Sequence, residues 1–382
     1  MLKREQGSVF FAFLFEREIF LKLRVGFFIK IAKFFYRLFF RKGEYFMSIS
    51  RRAFIKTAGI VTASAGVLGV GGILTGCGDN KTADAKSVSS GTASASGEKS
   101  TVYFSKNIDA EHLIKLYKKI NSEISGKVAI KLHSGEPHGP NILPRDIVQT
   151  FQAQIPNSTI IEANTAYGGA RGNTESHRKT LQTNGWTFSQ VDIIDADGDT
   201  NFPVNDGFHL KEVAVGSHLT NYDSLIVLTH FKGHAMGGFG GSLKNIAIGC
   251  ASGKKGKLQV HGVPKFGKWI MGEPLMELMA DSGKAICDHF GNKITFINVM
   301  RRMSVDCDCA GTSAAEPTIA DIGILASTDI LAIDKACVDL VYAAPDGQDL
   351  IERIESRSGL RQLSAMKELN MGNDNYNLIS ID

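Results

Sequence analysis

The sequence predicts an α/β fold, a mainly parallel sheet with helices on both faces. Three observations carry this. Short β-branched apolar runs such as KVAIKL at 127–132 read as strands buried on both sides. Longer segments with helical spacing of apolar residues lie between them, and that alternation is how parallel sheets are connected. Several of the runs end in loops rich in Gly, His or Cys, and open parallel sheets bind ligands beyond the carboxyl ends of their strands.

Taken in order, Thr101–Phe104 reads as a first strand. Ala110–Ile124 is a helix by the spacing of Leu113, Leu116, Ile120 and Ile124. Lys127–Leu132 is a strand that ends at His133, with His138 shortly after. A helix runs from Pro144, where proline suits the first turn, to about Gln154. Ser158–Ala163 is the next strand, followed by the loop NTAYGGARGNT and a helix from Glu175 to Asn184. Val191–Ile194 and Val213–Val215 are weaker strands.

The stretch Asp223–Cys250 is the centre of the reading. Leu225–Leu228 forms a buried strand, His230 and His234 follow, and a cluster of Gly233, Gly237, Gly238, Gly240 and Gly241 leads into a helix at Leu243–Ile248. Beyond it come a helix at Met276–Phe290, a strand at Lys293–Val299 and the loop MRRMSVDCDCAGT. A strand at Asp321–Ala326 and a helix at Asp329–Tyr342, capped by Thr328 or Asp329, follow. Residues 347–369 read as helical, and Tyr376–Ile381 as a last strand.

Charge is unevenly spread. The formal net charge of +4 belongs to the leader: residues 1–46 hold ten Lys/Arg against four Asp/Glu, and Arg51, Arg52 and Lys56 add more. The remainder is mildly acidic, which gives no electrostatic case for nucleic acid. Residues 1–46 also hold twelve of the 23 Phe. They read as an upstream extension or a mis-assigned start, because a complete export signal begins at Met47; a membrane-surface helix is the alternative. That signal, Ser50-Arg51-Arg52-Ala53-Phe54-Ile55-Lys56 followed by a weakly apolar run to Leu74, resembles a twin-arginine signal peptide. It closes on Leu74-Thr75-Gly76-Cys77, similar to a lipoprotein cleavage box, with Cys77 as the lipidated residue. Residues 78–100 are a flexible linker that lacks apolar residues able to bury a core, and residues 101–382 form a single α/β body. The resemblance implies export through the twin-arginine machinery and anchoring to the outer face of the cytoplasmic membrane. It also implies folding before export, often with a cofactor already loaded.

Five cysteines remain besides Cys77, an odd number that excludes full disulfide pairing. Cys250, Cys287 and Cys337 sit in or near apolar helical segments and read as core. Cys307 and Cys309 flank Asp308 in a polar loop just past a strand. Such a pair can chelate a transition metal together with imidazoles, or close as a reducible disulfide. Because His133, His230 and Cys307 each follow a strand end, parallel neighbouring strands would bring their loops together. The expected metal ligands are His133, His230, His234, Cys307 and Cys309, supported by Asp306 and Asp308. An anionic ligand is the alternative, held by Lys232, Lys244, Asn245 and the backbone at Gly240 and Gly241. A thiol–disulfide couple at Cys307 and Cys309, with a redox partner, is the third. Asp195–Asp199 begins like a calcium loop, but Thr200 stands where the turn glycine belongs. The glycine loop is not a Walker loop, and no nucleophile elbow is present in the body.

The segments HFKGHAMGGFGGSLKN and VDCDCAGTSAAEPTIADIGILASTDILAIDKACVDLVY resemble the bacterial family called domain of unknown function 362, and the likeness spans about Thr101 to Asp382. Matching features are the strand-end histidine of IKLHSGE, the His-x-x-x-His glycine loop, the Asp-Cys-Asp-Cys loop and the segment ending at Asp334. Many members of that family carry an inserted ferredoxin-like unit. Here the corresponding place holds only PKFGKWIMGEP, with no ferredoxin-type cysteine motif, so an iron–sulfur cluster is not expected.

Overall fold

Strands and helices alternate along most of the chain. The computed structural model describes residues 99–382. The upstream extension, the export signal, Cys77 and nearly all of the linker lie outside the described residues. The strands are β1 (Ser100–Ser105), β2 (Val128–Lys131), β3 (Ser158–Glu162), β4 (Val191–Ile193), β5 (Asp199–Pro203) and β6 (Glu212–Gly216). They continue as β7 (Ser224–His230), β8 (Lys232–His234), β9 (Gly238–Gly240), β10 (Ile294–Met300), β11 (Gly323–Ser327) and β12 (Tyr376–Ser380). The helices are α1 (Ala110–Tyr117), α2 (Arg145–Gln152), α3 (Thr174–Thr183), α4 (Ser242–Gly249) and α5 (Gly256–Val260). After these come α6 (Val263–Phe266), α7 (Glu273–Phe290), α8 (Ile330–Ala343), α9 (Gln348–Ser356) and α10 (Arg361–Glu368).

Eight strands form one sheet in the order β12-β1-β11-β10-β7-β2-β3-β4. β10, β7, β2, β3 and β4 are mutually parallel, and only β11 runs against both its neighbours. The sheet is therefore mainly parallel, as expected. Alternate residues of its strands face opposite layers. Ile130, Ile226, Leu228 and Val299 pack with Leu113 and Leu116 of α1 and Phe151 of α2. Ala129, Leu225, Val227 and Phe296 pack with α4, α7 and α8 through Leu243, Ile246, Met279 and Ile333. Burial of both faces is why these strands read as continuous apolar runs.

Several expected elements take a different form. Val213–Val215 lies in β6, which pairs with β5 in a separate ribbon, outside the central sheet. The glycine cluster is itself a ribbon, β8 against β9. The helix expected at 110–124 ends at Tyr117 and gives way to turns. The helical stretch 347–369 divides into α9 and α10 around Ser358, whose φ is 56°, and Gly359. Asp329 rather than Thr328 caps α8, accepting from the Ala332 N–H at 2.9 Å. Among the described residues no helix is long and apolar enough to cross a membrane.

Candidate functional site

The carboxyl ends of β2, β3, β7 and β10 lie on one rim of the sheet, because these neighbours are parallel. Each strand delivers a polar residue there. β2 ends in Lys131 and β3 in Glu162, both buried, and their side chains pair at 3.0 Å. Glu162 also accepts from the backbone and hydroxyl of Ser134 at 2.7 and 2.9 Å. Burial alone would push its carboxyl up, but the Lys131 ammonium and Arg171 guanidinium hold it well below the usual carboxylate range. Arg171 in turn donates to Glu136 at 2.9 Å.

β7 ends in His230, and here the ligand expectation is corrected. Its Nδ1 lies 2.8 Å from the Asp308 carboxylate and its Nε2 2.7 Å from the Arg301 carbonyl. A carbonyl accepts and cannot donate, so Nε2 carries a proton and has no lone pair for a metal. His230 is a buried strut between the β7 end and the cysteine loop. Lys232 joins it on Asp308 at 3.2 Å. Burial opposes both charges, yet His230 and Lys232 hold Asp308 well below its usual range, and Asp308 holds Lys232 above its own.

The ribbon β8–β9 then carries His234 against the cysteine loop. Gly233 makes this possible: its N–H donates to Ser304 at 2.7 Å, and a Cβ there would lie 2.3 Å from the Val305 carbonyl oxygen. The donor atoms of His234, Cys307 and Cys309 all lie within 4.8 Å of one another, a group of the kind that can hold a metal ion. His133 faces Cys307 but stands outside that group. The thiols are free, Cys307 buried and Cys309 partly so.

The imidazoles have a specific orientation. His234 Nδ1 accepts from the backbone N–H groups of Met236 and Gly237 at 3.2 and 2.9 Å. His133 Nδ1 accepts likewise from Gly135 at 2.9 Å. An imidazole that accepts at Nδ1 keeps its proton on Nε2. The His234 Nε2 lies 3.9 Å from the Cys309 sulfur and so presents an N–H to it. Burial lowers both histidines and keeps them neutral. One proton is shared by the two thiols. A hydrogen bond from Cys309, together with Lys244, Lys232 and His133, pulls Cys307 well below the usual thiol range against its burial, and Cys309 is pushed up as the protonated partner.

Cys309 and His234 open onto a cavity of about 270 Å³. Lys232, Lys244, Gly240 and Gly241 line it as well. The α4 N-terminus is not free for an anion, however. Buried Asp334 accepts from the Ser242 and Leu243 N–H groups at 2.7 and 2.9 Å, and Asn298 donates to it at 2.8 Å. Asn245 is also committed, to Lys131 Nζ at 3.2 Å and to Leu228 and Thr229. Asp306 sits at the outer side of the loop, paired with Arg353 at 3.0 Å. The Asp195 carboxylate is occupied by the N–H groups of Asn164 and Gly253, so the aspartate run ties loops together.

Lys131, Glu162, Arg171 and Lys257 also line the cavity, and the sequence did not single them out. A charged residue at the end of an otherwise apolar strand, as in KVAIKL and STIIEA, was the available signal for the first two. Nothing local marks the others.

Among curated proteins, none matches the sequence. Several solved structures resemble it in part, two of which follow. One is the lactate racemase apoprotein from Thermoanaerobacterium thermosaccharolyticum, with 13% identity, a TM-score of 0.37, and 63% of this chain and 57% of that one covered. The other is a Thermotoga maritima protein solved by the Northeast Structural Genomics Consortium, with 13% identity, a TM-score of 0.33 and 51% of each chain covered. The chain thus spans just over half the length of each. The family model described as "Domain of unknown function (DUF362)" matches residues 128–339, more than half of the sequence, and the chain belongs to that family.

Proposed function

We propose that this is an exported, lipid-anchored protein whose Cys307 and Cys309 form a redox-active dithiol. One observation carries the reading: two adjacent thiols, each beside an imidazole oriented to present an N–H to sulfur. Such surroundings favour a thiolate and give a metal ion no nitrogen lone pair. The chemistry is a thiol–disulfide exchange. Cys309, at the cavity wall, hands its proton to Cys307 and attacks a partner disulfide, releasing one partner thiolate. The Cys307 proton then leaves to that thiolate, and the Cys307 sulfur attacks Cys309, closing the internal disulfide and releasing the second thiolate. Two electrons pass to the partner, and the single proton ends on one of its thiols. The twin-arginine and lipobox-like segments support placement on the outer face of the cytoplasmic membrane, tethered through Cys77, where disulfide exchange has partners.

A transition metal is the second reading, favoured by the spacing of the His234, Cys307 and Cys309 donor atoms. It requires the His234 ring to turn over and give up its two backbone N–H contacts. Titration of accessible thiols in a glutathione redox buffer separates the readings. The dithiol reading expects two thiols to vanish and return together as the buffer becomes reducing, and to be missing from the Cys307→Ser, Cys309→Ser double variant. Stoichiometric metal in protein as isolated, with thiols unresponsive to the buffer until a chelator is added, would overturn it in favour of metal.

A further inference from the structure

The cavity beside the thiols holds two lysines that no carboxylate among the described residues contacts. Three of its basic side chains have carboxylate partners: Lys131 with Glu162, Arg171 with Glu136 and Glu162, Lys232 with Asp308. Lys244 and Lys257 line the same cavity and have no ion pair among the described residues. Lys257 is 5% exposed, and its Nζ has one hydrogen bond, to the Ala251 carbonyl at 2.7 Å. A buried ammonium with no carboxylate in contact is costly, and burial, only partly offset by the charges of Asp195 and Glu162, lowers this amine to about 8. Both lysines bear on the ring of His261, which burial lowers to about 4, so the ring adds no third charge at neutral pH.

The rest of the wall has a different character. Ile248, Leu275, Met279 and Met236 supply apolar surface. Trp269, 40% exposed, packs on His261 at a tilt of 40° with ring centroids 4.1 Å apart and also lines the cavity. The volume of about 270 Å³ falls just below the roughly 300–1,000 Å³ of sites for drug-sized ligands, so the occupant is small. A lining that offers both cations and hydrocarbon asks for a ligand that carries both an anionic and an apolar part.

We propose that the cavity binds a small amphipathic anion, its carboxylate or phosphate ester group between Lys244 and Lys257 and its hydrocarbon part against Ile248, Leu275, Met279 and Trp269. The inference goes beyond the dithiol, and its test reads binding rather than thiol chemistry.

Binding is tested with octanoate and octyl phosphate, with acetate, inorganic phosphate and octylamine as controls, followed by Trp269 fluorescence and by thermal melting. At least one long-chain anion is expected to bind saturably and raise the melting temperature, at least tenfold more tightly than its short counterpart and than octylamine. Lys257→Met and Lys244→Met are each expected to weaken it at least tenfold. Trp269→Phe should abolish the fluorescence change while keeping a melting shift. Lys257→Met should also raise the melting temperature of the ligand-free protein, because it removes a buried unpaired charge, and this readout confirms that the variant folds. The proposal is overturned if neither long-chain anion binds, if acetate, inorganic phosphate or octylamine binds as tightly, or if both lysine variants keep full affinity.

Discussion

The two aspartates of the Asp-Cys-Asp-Cys loop look alike in sequence and differ sharply in surroundings. Asp308 is buried and shared by His230 and Lys232, so Asp308→Asn leaves a buried ammonium without its carboxylate. Removing one member of a buried ion pair costs about 3–5 kcal/mol. Asp306 pairs with Arg353 where both side chains are partly exposed, and Arg353 keeps the Val305 carbonyl as a second acceptor at 2.6 Å. Asp306→Asn should therefore cost under about 1 kcal/mol. Urea denaturation of the two variants checks the contrast, and equal losses would contradict it. The sequence marked both residues as supports for the cysteines, and it had no means of ranking them. In an irregular loop no periodicity tells which side chain turns inward. The same limit applies to His230, which residue type alone cannot distinguish from His234. The Asp308 carboxylate on Nδ1 and the Arg301 carbonyl on Nε2 separate a strut from a residue facing the thiols.

At the scale of elements, the site depends on one close approach, the β8–β9 ribbon lying against the cysteine loop. Gly233 permits it, and in Gly233→Ala the added Cβ would meet the backbone of Val305 rather than a side chain able to move aside. Overpacking of this kind costs about 1–3 kcal/mol. Relief by sliding the ribbon outward would carry His234 away from Cys309. The expected outcome is a lower denaturation midpoint together with slower alkylation of the thiols by iodoacetamide at pH 7. Unchanged alkylation would mean that the ribbon does not govern thiol reactivity. The long buried strands were legible because their apolar runs have no other fate, and the cap on α8 was legible because Asp329 precedes an apolar helix. The ribbon was not. Five glycines within nine residues suppress the alternation by which strands announce themselves. β5 was hidden for a related reason: of Asp199–Pro203 only Phe202 is buried.

For the molecule as a whole, parallel order explains why three loops far apart in sequence meet on one rim, and that convergence could be read in advance from strand ends alone. The cavity could not, because its walls come from the 165–171 loop and from α5 and α7, which tertiary packing lays over the rim. The same packing buries titratable groups in a way that sets the pH range of stability. His177 is fully buried, with Nδ1 3.3 Å from the Asn164 oxygen and no partner for Nε2, and burial lowers it to about 3. His261 is lowered to about 4 by the same cause. Both folded values lie below the unfolded value near 6.5, so the unfolded chain binds more protons, and stability is lost as pH falls below about 6.5. By pH 5 each histidine removes about 2 kcal/mol. His133 and His234, also lowered by burial, act in the same direction. Asp334 opposes them: burial raises it to about 6, so its protonation favours the folded state by about 1 kcal/mol over the same interval. His218, raised by its hydrogen bonds to Asp192 and Asp197, opposes them too. The balance is a net loss of about 2 kcal/mol between pH 7.5 and pH 5, a large share of the roughly 5–15 kcal/mol that holds a folded domain together. Urea unfolding at the two pH values measures it directly. His177→Asn should reduce the dependence by about one proton, and a protein equally stable at both pH values would show that these histidines are not held neutral in the fold.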